Sequence, residues 1–89
     1  MKVLVLYRPN SEHSSMTESF VRDFQRQHDA GNKLELISVN TREGAALASL
    51  YDILAYPSIV AISDSGSVLN TWIGPSLPLM DEVAGYMNS

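Results

Sequence analysis

The chain has 89 residues, 45% hydrophobic and 18% charged, which predicts one globular domain over residues 1–89. Six basic against ten acidic residues give a net charge of -4, which argues against the broad basic surface that nucleic acids and anionic membranes select. The chain has no cysteine, which excludes a disulfide framework, a thiolate metal site and a thiol nucleophile. Its longest apolar runs fall well short of the roughly 20 residues of a membrane span, and its apolar start is too short for a signal peptide. We therefore expect a cytoplasmic protein with neither nucleic-acid nor membrane partners.

The beginning of the chain predicts a strand followed by a helix. Residues 2–7 form a continuous apolar run, typical of a central strand that is covered on both faces. Apolar residues at helical spacing then predict a helix over residues 14–28, with Ser15 and Glu18 spaced as a capping box and Gly31 ending it. The core-facing stripe of this helix is predicted to consist of Met16, Phe20 and Phe24.

The rest of the chain predicts five further elements. They fall at residues 34–40 (strand), 45–54 (helix), 58–63 and 68–73 (the strands of a hairpin around residues 64–66) and 77–87 (helix). Ser76 is expected to cap the last helix, with Pro78 in its first turn. The order β-α-β-α-β-β-α predicts a mixed sheet with helices on both faces. Lys33, Glu35 and Asn70 are expected to discourage pairing at the two edge strands.

This order, together with three local features, resembles the thioredoxin and glutaredoxin superfamily over nearly the full chain. Residues 6–14, which read L-Y-R-P-N-S-E-H-S, are similar to the family's strand, loop and CxxC motif. Residues 51–58 resemble the segment that ends in the family's cis-proline, here Pro57. Glycines stand where the family has its hairpin glycine and the glycine before the last helix, at Gly66 and Gly74. The resemblance implies a thioredoxin-like α/β fold, a four-stranded mixed sheet sandwiched by helices.

The chain departs from the family at its chemistry. The resemblance places Ser11 and Ser14 at the two cysteine positions, and a serine hydroxyl cannot form a disulfide or a mixed disulfide. An iron–sulfur cluster would also need a cysteine ligand. Val5 stands where thioredoxins carry a buried acid, and Asn10 replaces the tryptophan before the first cysteine. We therefore expect a redox-inactive domain that uses no cofactor.

The predicted binding face combines the former active-site loop with the cis-proline segment. It comprises Ser11, Glu12, His13, Ser14, Tyr56, Pro57, Ser58 and Gly74. Backbone amides at a helix start favour an anion, and the residue before a cis-proline can pair with an extended peptide. The alternatives are structural: a capped loop, and a proline that only ends a helix.

Neither catalysis nor metal binding is expected of the polar residues of this face, and two nearby aromatic residues are assigned to the core. Catalysis by Ser11 or Ser14 would require activation by His13, a geometry that near neighbours at one helix start seldom reach. Metal binding by Glu12 and His13 matches no recognised ligand spacing, so no metal site is predicted. Tyr7 and Trp72 are expected to be core residues rather than groove aromatics.

The sequence therefore predicts a noncatalytic domain that binds a protein or an extended peptide at this face. The alternative function is glutathione binding, or assistance to a redox partner, by a descendant of a thiol enzyme. Glutathione binding would distinguish the second hypothesis from the first.

Overall fold

The computed structural model describes residues 2–28 and 33–87. Its elements are β1 (Lys2–Tyr7), α1 (Ser14–His28), β2 (Leu34–Ser38), α2 (Arg42–Leu50), β3 (Ser58–Ile62), β4 (Val68–Ile73) and α3 (Met80–Met87). The predicted order β-α-β-α-β-β-α is confirmed. Gly31, the predicted end of α1, lies outside the described residues. None of the described helices is long and apolar enough to cross a bilayer.

The four strands form one mixed sheet in the order β2-β1-β3-β4. β1 runs parallel to β2 and antiparallel to β3, and β3 and β4 form the predicted antiparallel hairpin. Gly66 takes the positive φ of 92° that the hairpin turn requires. The run of apolar residues in β1 therefore marks a strand with a neighbour on each side, as predicted.

Helices cover both faces of the sheet. Because side chains alternate along each strand, successive residues belong to two separate hydrophobic cores, one on each face. On one face, α1 and α3 pack over the odd residues of β1 and β3, in a core that includes Val3, Val5, Phe20, Phe24, Ile59 and Val83. On the other face, α2 and the segment after it pack over Leu4, Leu6, Ala48, Ile53 and Val60. Tyr7 is buried as predicted, and Trp72 packs half-buried against the first core.

Two predictions about α1 are wrong. Ser15 is the second residue of the helix and forms no capping box with Glu18, because the Glu18 carboxylate accepts a hydrogen bond from the Tyr7 hydroxyl instead, at 3.0 Å. Met16 is 46% exposed, whereas the buried positions of this helix are Thr17, Phe20 and Phe24. The stripe that faces the sheet thus begins one residue later than the apolar pattern indicates.

The second helix begins and ends earlier than predicted. It starts at Arg42, because the side chain of Thr41 accepts a hydrogen bond from the Gly44 N–H at 2.9 Å and caps the first turn. It ends at Leu50, and Asp52 then takes a positive φ of 56° that a helix does not allow. Leu54, predicted as a helical residue, therefore lies in the following loop.

The last helix begins later than predicted. α3 starts at Met80, and the carbonyl of Leu79 accepts hydrogen bonds from the N–H groups of Glu82 and Val83. Ser76 does not cap this helix and Pro78 does not lie in it, since a residue that precedes a proline is disfavoured in helical conformation. The strands β2 and β3 also end sooner than predicted, at Ser38 and Ile62.

Candidate functional site

The loop between β1 and α1 is held by its own hydrogen bonds. The Ser11 hydroxyl donates to the Arg8 carbonyl at 2.5 Å, and the Ser14 hydroxyl and N–H donate to the Ser11 carbonyl at 2.9 and 3.2 Å. Asn10 takes a positive φ of 62°, which asparagine tolerates better than most residues. The His13 ring also faces the loop, and its Nε2 accepts from the Arg8 N–H at 3.3 Å. The loop is therefore a folded turn with defined side-chain positions.

A second wall is formed by the segment between α2 and β3. The Tyr56–Pro57 peptide bond is cis, and the Ser58 hydroxyl donates to the Ala55 carbonyl at 2.6 Å. The Arg8 guanidinium lies over the Tyr56 ring, 5.3 Å from its centroid, within the range of a cation–π interaction. This contact joins the segment before Pro57 to the end of β1.

Between the two walls lies an open groove of about 400 Å³, which we call the Arg8–Tyr56 groove. It is lined by Arg8, Ser11, Glu12, His13, Leu54, Ala55 and Tyr56. The loop wall is polar and carries charges of both signs. The opposite wall is apolar and aromatic, with Leu54 being 92% exposed. The groove therefore offers charge, hydrogen-bonding groups and apolar surface within one site.

Half of the predicted face lies in this groove. Ser11, Glu12, His13 and Tyr56 line it. The other four predicted residues are placed differently, as structural supports of the two walls. The Ser14 side chain is bonded back to the loop, and Pro57 and Ser58 are fully buried. Whether any of these residues binds a ligand remains a prediction.

Gly74 has a packing role beside the groove. Its N–H donates to the Pro57 carbonyl at 2.6 Å, and a Cβ added at Gly74 would lie 2.7 Å from Pro57 Cδ. The absence of a side chain thus lets the strand β4 approach the cis-proline. The backbone N–H of Gly74 is already committed to the fold and is not available to a ligand.

Three groove residues were not identified from the sequence. The sequence analysis places Arg8 within the loop motif of residues 6–14, Leu54 at the end of the predicted helix and Ala55 within the cis-proline segment, and none of them in the predicted binding face. The available signal was positional, since Arg8 ends the central strand and Leu54 shortly precedes Pro57. Their meeting depends on β1 and β3 being neighbours in the sheet, which the sequence pattern alone does not show.

Ser11 and His13 approach each other more closely than the sequence argument anticipated. Ser11 Oγ lies 3.1 Å from His13 Nε2. However, the Ser11 hydroxyl donates to the Arg8 carbonyl, and among the described residues no carboxylate bonds to the His13 ring. A serine nucleophile needs a base that takes its proton and an acid that orients this base. The arrangement of Ser11 and His13 therefore lacks the orienting acid of a catalytic triad within the described residues.

A metal site is not indicated by the geometry either. Within the described residues, no group of three or more potential metal ligands occurs.

Behind the loop, Tyr7 and Glu18 connect the end of β1 to α1. Burial raises the pKa of the Tyr7 phenol, and its hydrogen bond to Glu18 and the Glu18 charge raise this pKa further. The phenol therefore stays protonated and remains a donor to the carboxylate. This pair fixes the position of the helix start that forms one wall of the groove.

The sequence and the fold give different results in comparisons with known proteins. No protein-family model and no curated protein matches the sequence. Among solved structures, thioredoxin 1 of Thermosipho africanus has a TM-score of 0.68 at 11% identity, covering 99% of this chain and 91% of that chain. Mitochondrial thioredoxin 3 of Saccharomyces cerevisiae has a TM-score of 0.66 at 16% identity, with coverages of 98% and 76%.

A thioredoxin from Thermus thermophilus gives a TM-score of 0.64 at 20% identity, covering 97% of this chain and 70% of that chain. At such identities the likeness establishes the fold and no more. The resemblance that the sequence motifs indicated is thereby confirmed at the level of the fold. This chain has a thioredoxin-like α/β fold and contains no cysteine.

Proposed function

We propose that this chain is a redox-inactive thioredoxin-like domain that binds a protein or an extended peptide at the Arg8–Tyr56 groove. The absence of cysteine argues against thiol–disulfide exchange, because no other side chain forms the mixed disulfide that the reaction requires. The observation that carries the proposal is the groove itself, in which the almost fully exposed Leu54 faces a wall of charged and hydrogen-bonding side chains.

The backbone beside Pro57 supports recognition of an extended chain. Within the described residues, the N–H and C=O of Tyr56 make no hydrogen bond. A ligand strand that lies along this segment can therefore exchange hydrogen bonds with Tyr56 without breaking any in the fold. The Leu54 side chain would contact an apolar residue of the ligand and add burial of apolar area.

Glutathione is the second candidate ligand, and Arg8 is the observation that favours it. The groove volume of about 400 Å³ is in the range of small-molecule sites. Glutathione is a short peptide with two carboxylates, and the Arg8 guanidinium can pair with one of them. In this case the site would bind the peptide without reacting with its thiol.

Peptide selection with matched variants tests the main proposal. Peptides selected from a random library on the parent protein should lose binding to Leu54→Asp, which introduces a charge on the apolar wall. They should keep binding to Leu50→Asp, because Leu50 is also exposed, at 68%, but does not line the groove. Equal binding to both variants, or failure to select any peptide, would contradict the proposal.

An amide NMR titration with reduced glutathione separates the two candidates. Saturable shifts confined to Glu12, His13, Ala55 and Tyr56, and weakened in Arg8→Gln, would establish glutathione as the ligand. The absence of shifts at millimolar glutathione would exclude it and leave the peptide proposal to the selection experiment.

A further inference from the structure

The edge strand β2 has hydrogen-bonding groups that alternate in direction. The Val39 N–H, just after the strand, donates to the Tyr7 carbonyl of β1 at 3.0 Å. Since successive residues of a strand point their backbone groups to opposite sides, the odd residues of β2 face β1 and the even residues face outward. The outward residues are Leu34, Leu36 and Ser38.

Side chains close this outward edge at both of its ends. Gln25 Nε2 of α1 donates to the Leu34 carbonyl at 3.1 Å. The Thr41 hydroxyl and N–H donate to the Ser38 carbonyl at 2.8 and 3.3 Å. Between them, Leu36 has both its N–H and its C=O turned outward, with no hydrogen-bonding partner among the described residues. The edge is thus fully open at one residue.

A second groove, of about 330 Å³, lies along this edge, and we call it the β2-edge groove. It is lined by Glu35, Leu36, Ile37, Ser38, Thr41, Glu43 and Leu47. Its two charged residues are both acids. Glu35 lies 3.0 Å from the Lys2 ammonium, whereas Glu43 is exposed and forms no ion pair within the described residues. The groove shares no residue with the Arg8–Tyr56 groove.

We propose that the β2-edge groove binds an extended segment of a partner protein in which an apolar residue lies between two basic residues. In an antiparallel pair, two opposed residues exchange both of their hydrogen bonds, which is the pairing that Leu36 alone offers. The apolar residue of the segment would lie opposite Leu36, on the side of the sheet that faces α1. Its side chain would cover Leu36, which is 36% exposed.

The neighbouring residues of the bound segment determine its charge. Because side chains alternate along a strand, both neighbours of the apolar residue point to the side of α2, where Glu35 and Glu43 line the groove. The aliphatic stem of a lysine or arginine there would lie on Leu47 while its charge reaches a carboxylate. An acidic segment would be repelled at the same two positions.

The closed ends of the edge limit what can pair there. A long strand, or a second sheet, would need the Leu34 and Ser38 carbonyls, which are already bonded to Gln25 and Thr41. A short segment needs only Leu36. The edge therefore resists sheet-to-sheet association and still accepts a peptide.

Amide NMR titrations with three capped peptides test this proposal. The probes are acetylated and amidated Arg-Val-Arg-Val-Arg, the same peptide with glutamine in place of arginine, and the same with glutamate. We expect saturable shifts of the Leu36 and Leu47 amides with the arginine peptide, weaker shifts with the glutamine peptide, and none with the glutamate peptide. Methylation of both valine nitrogens, which removes their N–H groups, should also weaken binding.

Variants of the protein separate the groove from general charge attraction. Glu43→Gln should weaken the arginine peptide about three-fold, as expected for a solvent-exposed ion pair. Glu82→Gln, in the first turn of α3, removes the same charge outside the groove and should leave the affinity unchanged. Equal losses in both variants, shifts confined to residues outside the β2-edge groove, or no saturable binding of the arginine peptide would each overturn the proposal.

Discussion

At the scale of single residues, Gly44 sets how closely α2 approaches the end of β2. A Cβ added at Gly44 would lie 1.8 Å from the carbonyl oxygen of Ser38, a backbone atom that cannot move aside cheaply. We expect Gly44→Ala to lower the free energy of unfolding by about 1–3 kcal/mol or more, since that range is the usual cost of overpacking. Urea denaturation of parent and variant measures this difference.

Gly85 provides the matched control for that substitution. It also lies in a helix, α3, but a Cβ added there meets no atom within 4 Å. Gly85→Ala should therefore gain up to about 1 kcal/mol from the helix propensity of alanine. If Gly44→Ala were as stable as the parent, this result would contradict the inference that α2 packs too closely on Ser38 to admit a side chain.

The Tyr7 phenol predicts a pH dependence of stability. Its pKa is raised in the folded chain, mainly by burial and then by Glu18. The unfolded phenol ionises near pH 10, so the contribution of Tyr7 is complete below about pH 10 and is lost as the pH rises through the folded pKa. Tyr7→Phe should cost about 1 kcal/mol near neutral pH. This cost should shrink above pH 10, where the parent itself loses stability.

Urea denaturation of both proteins near neutral pH and above about pH 10 measures this change. Glu18→Gln is the informative companion variant, because it keeps an acceptor oxygen for the Tyr7 hydroxyl and removes the charge. The decline of stability at high pH should be smaller in Glu18→Gln than in the parent. A cost of Tyr7→Phe that does not change with pH would show that Glu18 and burial do not hold the proton on Tyr7.

At the scale of elements, Asn70 closes part of the other sheet edge, β4. The Gly74 N–H donates to the Pro57 carbonyl, so the alternation of an antiparallel pair turns the backbone of Thr71 away from β3. Asn70 Oδ1 accepts a hydrogen bond from the Thr71 N–H at 2.8 Å, and Asn70 Nδ2 donates to the Tyr86 hydroxyl at 3.0 Å. The Asn70 side chain thus accepts the hydrogen bond of an outward-facing N–H of the edge strand, and its own position is fixed by the hydrogen bond to Tyr86 of α3.

Replacing this side chain should expose an uncharged edge strand. We expect Asn70→Ala to self-associate at lower concentration than the parent, because the freed Thr71 N–H lies on an edge that also exposes Val68 and Ile73. Sedimentation velocity over a concentration series measures the change. Asn70→Asp, which keeps an acceptor oxygen for Thr71, should behave like the parent. Identical sedimentation of Asn70→Ala and the parent would contradict a role of Asn70 at the edge.

The accuracy of the sequence predictions differs between elements for physical reasons. The apolar residues of β1 have neighbours on all sides, and this complete burial is visible as a continuous apolar run. The first residue of α3 was harder to predict, because it depends on the path of the chain through Pro75 and Pro78. Several turn conformations are compatible with the residues of this segment. Leu54 was misplaced because the positive φ of Asp52 ends the helical path before it.

The groove residues were harder to predict because they come from separate segments. Arg8 follows β1, and Tyr56 precedes β3. Their contact requires the pairing of β1 with β3, in which Leu6 lies opposite Ser58. The motif comparison identified the two segments, but only the sheet register brings the guanidinium over the ring. The short distance between Ser11 and His13 is a similar case. It is set by the conformation of the turn between them, which the residue types alone do not determine.

At the scale of the whole molecule, the thioredoxin-like fold places a turn at Ser11 and Ser14, the positions that the resemblance assigns to the family's two cysteines. The Ser14 N–H donates to the Ser11 carbonyl at 3.2 Å, and a turn closed in this way holds its end Cα atoms within about 7 Å. This distance is compatible with the Cα separations of disulfides, about 4.4–6.8 Å. The position at a helix start would also lower the pKa of an introduced thiol.

The double variant Ser11→Cys, Ser14→Cys should therefore form an intramolecular disulfide on mild oxidation, seen as loss of both titratable thiols without a dimer on a nonreducing gel. It should reduce insulin, although slowly, because Val5 and Asn10 do not supply the acid and the tryptophan of thioredoxins. The single variant Ser11→Cys is the control, since it has no second thiol to resolve a mixed disulfide. Thiols that remain titratable after oxidation, or that form only intermolecular disulfides, would show that the turn from Ser11 to Ser14 does not hold two thiols in the geometry of a disulfide.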